Sequence, residues 1–251
     1  MFSYGTILTS EREIDFLTIQ FNTLKQFINL DELEIFVSTS LPDRIFPFKA
    51  NRIIYQKKAP ISKFQKVQKG SLIAGIDCAN RLDMLIKEAK RDWIILTHSD
   101  VAWTGNIFKL LHKLISQCPD CGIIENWRWG MTVISKEFYE LSPFGFYGIP
   151  SLSVSKEDNG WLRIIPFSGP YSDRISSDLK KNVLGLDLGE LLEIDCYNKG
   201  YRHILIDSNE YYRHVGEQSL YWTDNPEIEQ SKIIDVEQRK TSFFNEFRGY
   251  L

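Results

Sequence analysis

The sequence lacks any apolar run long enough to cross a lipid bilayer, and it has few cysteines. A membrane-spanning helix needs about 20 consecutive apolar residues, and the apolar runs here are much shorter. Four cysteines in 251 residues make no disulfide framework. The first residues also lack the pattern of a secretory signal peptide. The cytoplasm is therefore the expected compartment.

An excess of positive charge is also missing. The formal net charge is −3, which argues against a generic nucleic-acid-binding surface. The glycine-rich phosphate loops of dinucleotide-binding and P-loop proteins are absent. The segment Cys118-Pro119-Asp120-Cys121 follows the C-terminus of a predicted helix. A helix lowers the pKa of a thiol at its N-terminus, so this position does not favour a redox pair. Because no second pair has zinc spacing, we interpret this segment as a turn.

What the sequence does contain is an alternation of short apolar runs and amphipathic segments. Strands are predicted at 4–9, 33–38, 52–55, 93–96, 122–125, 131–135, 161–165 and 201–207. Helices are predicted to begin near residues 11, 71, 104, 136, 184 and 227, and the first of them to run to Leu30. Such alternation favours an α/β fold with a mostly parallel central sheet and helices on both faces.

The apolar run at 93–96 is the predicted strand on which the functional prediction depends. It is bounded by charge and is typical of a strand buried on both faces. His98, Ser99 and Asp100 follow it directly. In open α/β sheets the ligand crevice lies beyond the carboxyl ends of the strands, so these three residues are candidates for binding metal or phosphate.

The length suits one large domain with an added segment. Residues 1–220 are predicted to form the α/β domain, and 221–251 a helical extension packed on it. Within the domain, 145–181 is rich in Gly, Pro, Ser and Asp, and long irregular segments of this kind usually serve function. For the apolar face of the extension, packing on the core is the simplest use, with dimer or peripheral membrane contact as alternatives.

Several segments, taken in order, resemble the glycosyltransferases with the A-type fold, especially the large family 2 group. The pattern Asp83-x-Leu85-x3-Ala89 and the strand that ends in His98-Ser99-Asp100 resemble that family's helix, turn, strand and DxD motif. Four later segments resemble its acceptor-side segment and its closing run, namely 130–138, 187–191, 199–202 and 214–219. The resemblance covers roughly residues 4 to 220.

The resemblance implies a nucleotide-diphospho-sugar transferase fold and the transfer of a sugar from a nucleoside-diphosphate sugar to a glycan or other hydroxyl acceptor, with inversion. It also implies Mn²⁺ or Mg²⁺ on the leaving diphosphate, with Asp100 as the main metal ligand and His214 as a second. His98 stands where the family has its first Asp, and an imidazole favours Mn²⁺ over Mg²⁺. His98 could also contact phosphate directly, or mark a metal-independent or inactive site.

Further site residues follow from the same resemblance. Thr9, Asp43, His98, Ser99 and Asp100 are the predicted donor-binding residues. A simple turn aspartate is the competing interpretation for Asp43. Asp187 is the candidate general base, with Glu190 as its alternate on the same helical face. Acidic side chains that stabilise a helix N-terminus explain both residues equally well. Residues 145–181 would lie on the acceptor side.

Two other functions stay open. One is a sugar nucleotidyltransferase, although Thr9-Ser10-Glu11-Arg12 stands where its basic, glycine-rich loop belongs. The other is a non-catalytic nucleotide- or sugar-binding module, with His98 as the sign of lost catalysis. Trp103, Trp127 and Trp129 suit sugar stacking or an ordinary core. No nucleic-acid partner is expected, and the oligomeric state, donor and acceptor are not determined by the sequence.

Overall fold

The computed structural model describes residues 2–42, 46, 48–57, 70–126, 130–142, 145–146, 152–156, 162–166, 189–207, 209–216 and 230–251. Within these ranges it describes the backbone without the side chains at 70–76, 152–156, 162–166, 190–191 and 230–233.

Strands and helices alternate through most of the described chain. The strands are β1 Phe2–Leu8, β2 Glu34–Thr39, β3 Arg52–Tyr55, β4 Trp93–Thr97, β5 Val101–Trp103, β6 Cys121–Glu125, β7 Met131–Ser135, β8 Leu152–Lys156, β9 Leu162–Pro166, β10 Arg202–Leu205 and β11 Tyr212–His214. The helices are α1 Ile14–Leu24, α2 Gly70–Glu88, α3 Ile107–Gln117, α4 Lys136–Leu141, α5 Glu190–Asn198 and α6 Gln230–Glu246.

Seven strands form the central sheet in the order β10-β6-β7-β4-β1-β2-β3. β7 is antiparallel to both of its neighbours, and the other neighbouring pairs are parallel. The register pairs Thr6 of β1 with Thr97 of β4, and Leu8 with Thr39 of β2. The carboxyl ends of these three strands therefore meet at one edge of the sheet. The predicted mostly parallel α/β architecture is confirmed.

Apolar side chains cover both faces of this sheet. Successive strand residues point to opposite faces, so Ile95 packs in the cluster formed with α1 and α3. Its neighbour Leu96 packs in the cluster formed with α2, α4 and α5. Strands buried on both faces read as continuous apolar runs, which explains why the pattern in β4 is so uniform.

The last helix, α6, packs against the first. The ring of Phe16 in α1 lies 5.5 Å from that of Phe243 and 4.6 Å from that of Phe244, measured between centroids. The Asn22 side-chain amide also donates to the Tyr250 carbonyl oxygen at 2.7 Å. Among the described helices, none combines the length and apolarity that crossing a bilayer requires.

Two predicted helices have different bounds in the structure. The first does not run to Leu30, because α1 ends at Leu24 and the chain then forms a short 3-10 turn capped by the Asn29 side chain, which accepts from the Asp31 N–H at 3.2 Å. The helix predicted to start at Thr104 is capped instead by Asn106, which accepts from the Lys109 N–H at 3.1 Å.

Two elements within residues 145–181 and the segment after them also differ from the prediction. The single strand predicted at 161–165 is β9, and it pairs antiparallel with β8, which was not predicted. α5 begins at Glu190 because Gly189, with φ +85°, has a left-handed conformation that a right-handed helix does not allow. Residues 184–188, where that helix was predicted to open, lie outside the described residues. Gly200, with φ +78°, follows the end of α5 as predicted.

Candidate functional site

The candidate site forms where β4 ends at the carboxyl edge of the sheet. A turn through Ser99 and Asp100 joins β4 to β5. β5 pairs antiparallel with β11, and the register places His214 opposite Val101. The Val215 N–H donates to the Asp100 carbonyl oxygen at 3.2 Å, which continues this pairing to the turn. The short β5–β11 ribbon thereby brings His214 to the turn.

Both carboxylate oxygens of Asp100 have polar contacts. Oδ1 lies 3.2 Å from Nε2 of His214, and Oδ2 accepts a hydrogen bond from the Gly216 backbone N–H at 2.9 Å. Gly216 has φ +73°, a conformation that favours glycine. The carboxylate is only 2% exposed, so its orientation is fixed by these contacts and by packing.

His98 is held through its backbone. Its N–H donates to the Gly130 carbonyl oxygen at 3.3 Å, and its own carbonyl oxygen accepts from the side-chain amide of Gln20 at 2.5 Å. Gln20 is fully buried on α1. The His98 and His214 rings lie 5.3 Å apart between centroids, at 79° to each other. The two imidazoles therefore lie close together beside the Asp100 carboxylate.

Burial and the neighbouring charges set the protonation states of this group. Burial, aided by His214, lowers the pKa of His98 to about 4. Burial alone would raise the pKa of Asp100, but His214, His98 and the Gly216 N–H together lower it to about 2. At neutral pH the site therefore holds a neutral His98 imidazole and an ionised Asp100 carboxylate, the forms in which these side chains bind metals.

The three side chains fit a divalent cation. One ligand atom each from His98, Asp100 and His214 lies within 4.8 Å of the others. Two imidazole nitrogens and one carboxylate oxygen form a donor set that suits first-row transition metals better than Mg²⁺, which prefers oxygen ligands. This grouping brings together the three residues that the family resemblance predicts as metal ligands.

Thr9 and Ser99, the other predicted donor-binding residues that the structure describes, have different surroundings. Ser99 is buried in the turn between His98 and Asp100. Thr9 is buried at the end of β1, and its backbone N–H donates to the Glu13 carboxylate at 2.6 Å. Glu13 also forms a capping box with Ser10. An acidic side chain thus occupies the loop after β1.

The structure describes some of the remaining predicted site residues and leaves others outside its described ranges. Asp43, Asp187, Trp127 and Trp129 lie outside the described residues. Glu190 is the first residue of α5, and its backbone alone is described. Trp103 belongs to the core: it is 2% exposed, and its Nε1 lies 3.3 Å from the Tyr4 hydroxyl. Of the two uses suggested for Trp103, core packing is the one that the structure shows.

Sequence reasoning missed a buried arginine near this edge of the sheet. Arg81 on α2 is fully buried, and its guanidinium donates to Asp77 at 2.5 Å, to Ser38 at 3.2 Å, to Ser40 at 2.7 Å and to the Gln56 carbonyl oxygen at 2.8 Å. It therefore ties α2 to the ends of β2 and β3. The i, i+4 spacing of Asp77 and Arg81 was the available signal.

A comparison with solved structures agrees with this architecture, whereas comparisons of the sequence find no match. No family model and no curated protein matches the sequence. Among solved structures, the chain is similar to the mannosyltransferase PcManGT from Pyrobaculum calidifontis in complex with GDP-Man and Mn²⁺. The TM-score is 0.51 at 12% identity, and the match covers 97% of this chain and 63% of that chain.

A second similar structure is S. aureus TarS 1-349 in complex with UDP-GlcNAc, with a TM-score of 0.49 at 10% identity, covering 87% of this chain and 60% of that chain. The chain thus spans less than two thirds of the length of either structure. The similarity to the mannosyltransferase, together with the strand order, shows that this chain has the A-type fold of the nucleotide-sugar glycosyltransferases.

Proposed function

We propose that this protein is a glycosyltransferase that moves a sugar from a nucleoside-diphosphate sugar to a hydroxyl acceptor. The observation that carries the proposal is the grouping of His98, Asp100 and His214 at the carboxyl edge of a sheet with this fold. Ligand crevices of open α/β sheets lie at this edge. A fold by itself does not define a function, so the proposal depends on the chemistry of the grouped side chains.

The charge of the site suits a diphosphate leaving group. A divalent cation, when bound, would neutralise the charge that develops on the departing diphosphate. With one carboxylate and two neutral imidazoles as ligands, the protein supplies a single negative charge, so the loaded site keeps a net positive charge for an anionic donor. Asp100, ionised and oriented by the Gly216 N–H, would hold the position of the donor relative to the sheet.

The metal we propose is Mn²⁺ in preference to Mg²⁺. His98 replaces a carboxylate by an imidazole, and nitrogen ligands shift selectivity from Mg²⁺ towards transition metals. The similar mannosyltransferase was solved with Mn²⁺, which agrees with this choice.

The general base is proposed to come from the start of α5. Glu190 opens this helix directly after the left-handed Gly189, and Asp187 precedes it by three residues. A carboxylate here would accept the proton of the acceptor hydroxyl during an inverting transfer. Residues 145–181 are proposed to contribute to the acceptor side.

A non-catalytic nucleotide-sugar-binding module is the second candidate, because His98 stands in place of a carboxylate. A nucleotidyltransferase is disfavoured by the Glu13 carboxylate, which takes up the Thr9 and Ser10 backbone N–H groups after β1. A phosphate-binding loop needs such N–H groups free for the ligand.

The test is a thermal-shift screen of nucleoside diphosphates and nucleotide sugars, each with Mn²⁺, Mg²⁺ or EDTA. A ligand that binds the folded state raises the melting temperature. We expect a nucleotide-dependent rise with Mn²⁺ that is abolished by EDTA and by the substitution Asp100→Asn. The control variant His112→Gln, which changes an exposed histidine on α3, should leave the rise intact. His98→Asp should increase the response to Mg²⁺.

Transfer or hydrolysis of the donor found in that screen separates the enzyme from the binding module. Product release that depends on Mn²⁺ supports the transferase, and donor binding without turnover favours the module. A complete lack of response to every nucleotide would refute both.

A further inference from the structure

A second group of potential metal ligands lies apart from the candidate site. Glu125 ends β6, His203 lies on the neighbouring strand β10, and Glu193 lies on α5. β6 and β10 are parallel, and the register pairs His203 with Ile123 and Leu205 with Glu125. Residues two apart on a strand point to the same face, so the Glu125 and His203 side chains project to the same side of the sheet.

Helix α5 brings the third ligand to that side. Leu192 and Cys196 of α5 are buried in the cluster that contains Ile123, and Glu193 lies between them in sequence. His203 Nε2 is 2.8 Å from Glu125 Oε1. One ligand atom from each of Glu125, Glu193 and His203 lies within 4.8 Å of the other two. Three separate elements therefore converge on one point.

The charges of this group favour a cation. The Glu125 side chain is 11% exposed and the His203 side chain 22%, and Glu193 is half-buried, so water screens the charges of this group only in part. A single imidazole can offset one carboxylate charge at most. A divalent ion bound to the three side chains would balance the charge of both carboxylates.

Backbone hydrogen bonds fix the two strands that carry Glu125 and His203. The Glu125 carbonyl oxygen accepts from the Ile206 N–H at 2.8 Å, and Glu125 is paired with Thr132 of β7 on its other side. The Arg202 N–H, next to His203, donates to the Asp120 carbonyl oxygen at 2.8 Å. Ligands on fixed strands need little rearrangement to bind an ion.

The group is separate from the candidate site at His98. Across the sheet, Glu125 pairs with Thr132, and Thr132 pairs with Leu96 of β4. Two strand spacings amount to about 10 Å, which is several times a metal–ligand bond length. One ion therefore cannot be shared by the two groups.

We propose that Glu125, Glu193 and His203 form a second divalent-metal site, one for a first-row transition metal such as Zn²⁺. One imidazole nitrogen and two carboxylate oxygens are ligands that Zn²⁺ accepts, with a fourth position for water. The site joins α5, the helix that begins at Glu190, to strands β6 and β10. This proposal does not depend on the proposed transferase function.

The test counts bound Co²⁺ or Zn²⁺ by calorimetric titration of the full chain after treatment with EDTA. The variant His98→Asn/Asp100→Asn removes ligands of the candidate site. We expect this variant to keep one high-affinity ion, and the added change His203→Gln to weaken its binding at least tenfold. In the otherwise unchanged chain, His203→Gln should remove one of two ions, and the exposed His112→Gln should remove none.

Glu193→Gln provides a second variant in case His203→Gln fails to fold, which circular dichroism would reveal. It should also weaken the ion that the His98→Asn/Asp100→Asn chain keeps. If that chain binds no ion, or if Glu193→Gln and His203→Gln leave its binding unchanged, the proposal is wrong. The Co²⁺ absorption spectrum, which changes with imidazole ligation, gives a readout that is independent of stability.

Discussion

His98 is the residue in which this site departs most from the DxD pattern that the sequence resembles. Its backbone is fixed by Gly130 and Gln20, so its position does not depend on a bound ligand. Its imidazole lies beside His214 and close to Asp100. At this position a carboxylate would add a negative charge, whereas the imidazole leaves the site less negative, which agrees with the proposed preference for Mn²⁺ over Mg²⁺.

The lowered pKa of His98 predicts a specific pH dependence for the metal-free protein. Its pKa falls from 6.5 to about 4 on folding, so between these values the unfolded chain binds a proton that the folded protein excludes. The free energy of unfolding should therefore decrease as the pH falls from 6.5 to 4, by on the order of 1–3 kcal/mol.

Urea unfolding in EDTA at several pH values checks this. His98→Asn removes the titrating group, so its stability should vary less with pH across the same range than that of the unchanged chain. Identical pH profiles for the two proteins would show that His98 is not the source of the effect.

At the scale of elements, the buried pair Asp77–Arg81 joins α2 to the ends of β2 and β3. Arg81 is fully buried, and its contacts include the hydroxyls of Ser38 and Ser40. In the described structure, Oδ1 of Asp77 lacks a hydrogen-bond partner. The carboxylate of Asp77 therefore depends on Arg81 for compensation of its charge.

Arg81→Met should destabilise the protein by about 3–5 kcal/mol, because it leaves a buried carboxylate uncompensated. The double variant Asp77→Leu/Arg81→Met removes both charges and should be more stable than the single variant. Chemical unfolding of the two variants and the unchanged chain measures the difference. A double variant less stable than Arg81→Met would contradict this explanation.

The β5–β11 ribbon is the element that assembles the candidate site. Asp100 lies directly before β5, and His214 lies on β11. The hydrogen bond from the Gly216 N–H to the Asp100 carboxylate joins residues that are 116 positions apart in the sequence. Neither strand was predicted, because three-residue strands carry too little periodicity to be recognised. Their pairing is visible only in the folded chain.

At the scale of the whole molecule, α6 contributes to a third apolar cluster, which includes Phe16 of α1 and Ala102 of β5. Val215, next to His214, belongs to the same cluster. The Arg239 guanidinium also donates to the Val215 carbonyl oxygen at 2.6 Å. Helix α6 therefore supports the ribbon that holds the candidate site.

Phe243→Ala should lower the free energy of unfolding by about 3 kcal/mol, because it leaves a cavity beside Phe16 and Phe247. The matched control is Ile234→Ala on the same helix, where the side chain is 52% exposed and the expected change is below about 0.5 kcal/mol.

The urea midpoint of the main unfolding transition is the measurement. If Phe243→Ala leaves that midpoint where it is, α6 does not unfold with the sheet, and its support of the β5–β11 ribbon is not energetically significant.

The sequence by itself determined the local structure and the class of fold. Continuous apolar runs identified the buried strands, and the bounds of β7 and α4 agree with their predictions at 131–135 and 136–141. The position of His98 and Asp100 after β4 also followed, because a strand end is a local feature. The hydrophobic periods that gave these results act over a few neighbouring residues.

Only the tertiary structure decided which distant side chains meet. His214 was expected near Asp100 from a family resemblance alone, and no local pattern pointed to Gln20 or to the meeting of Glu125, Glu193 and His203. The spacing of Asp77 and Arg81 indicates that the two can pair, but it does not reveal that Arg81 is buried. Their contacts depend on strand order, register and helix packing. Those are set by the burial of the whole apolar surface, which a local sequence pattern does not encode.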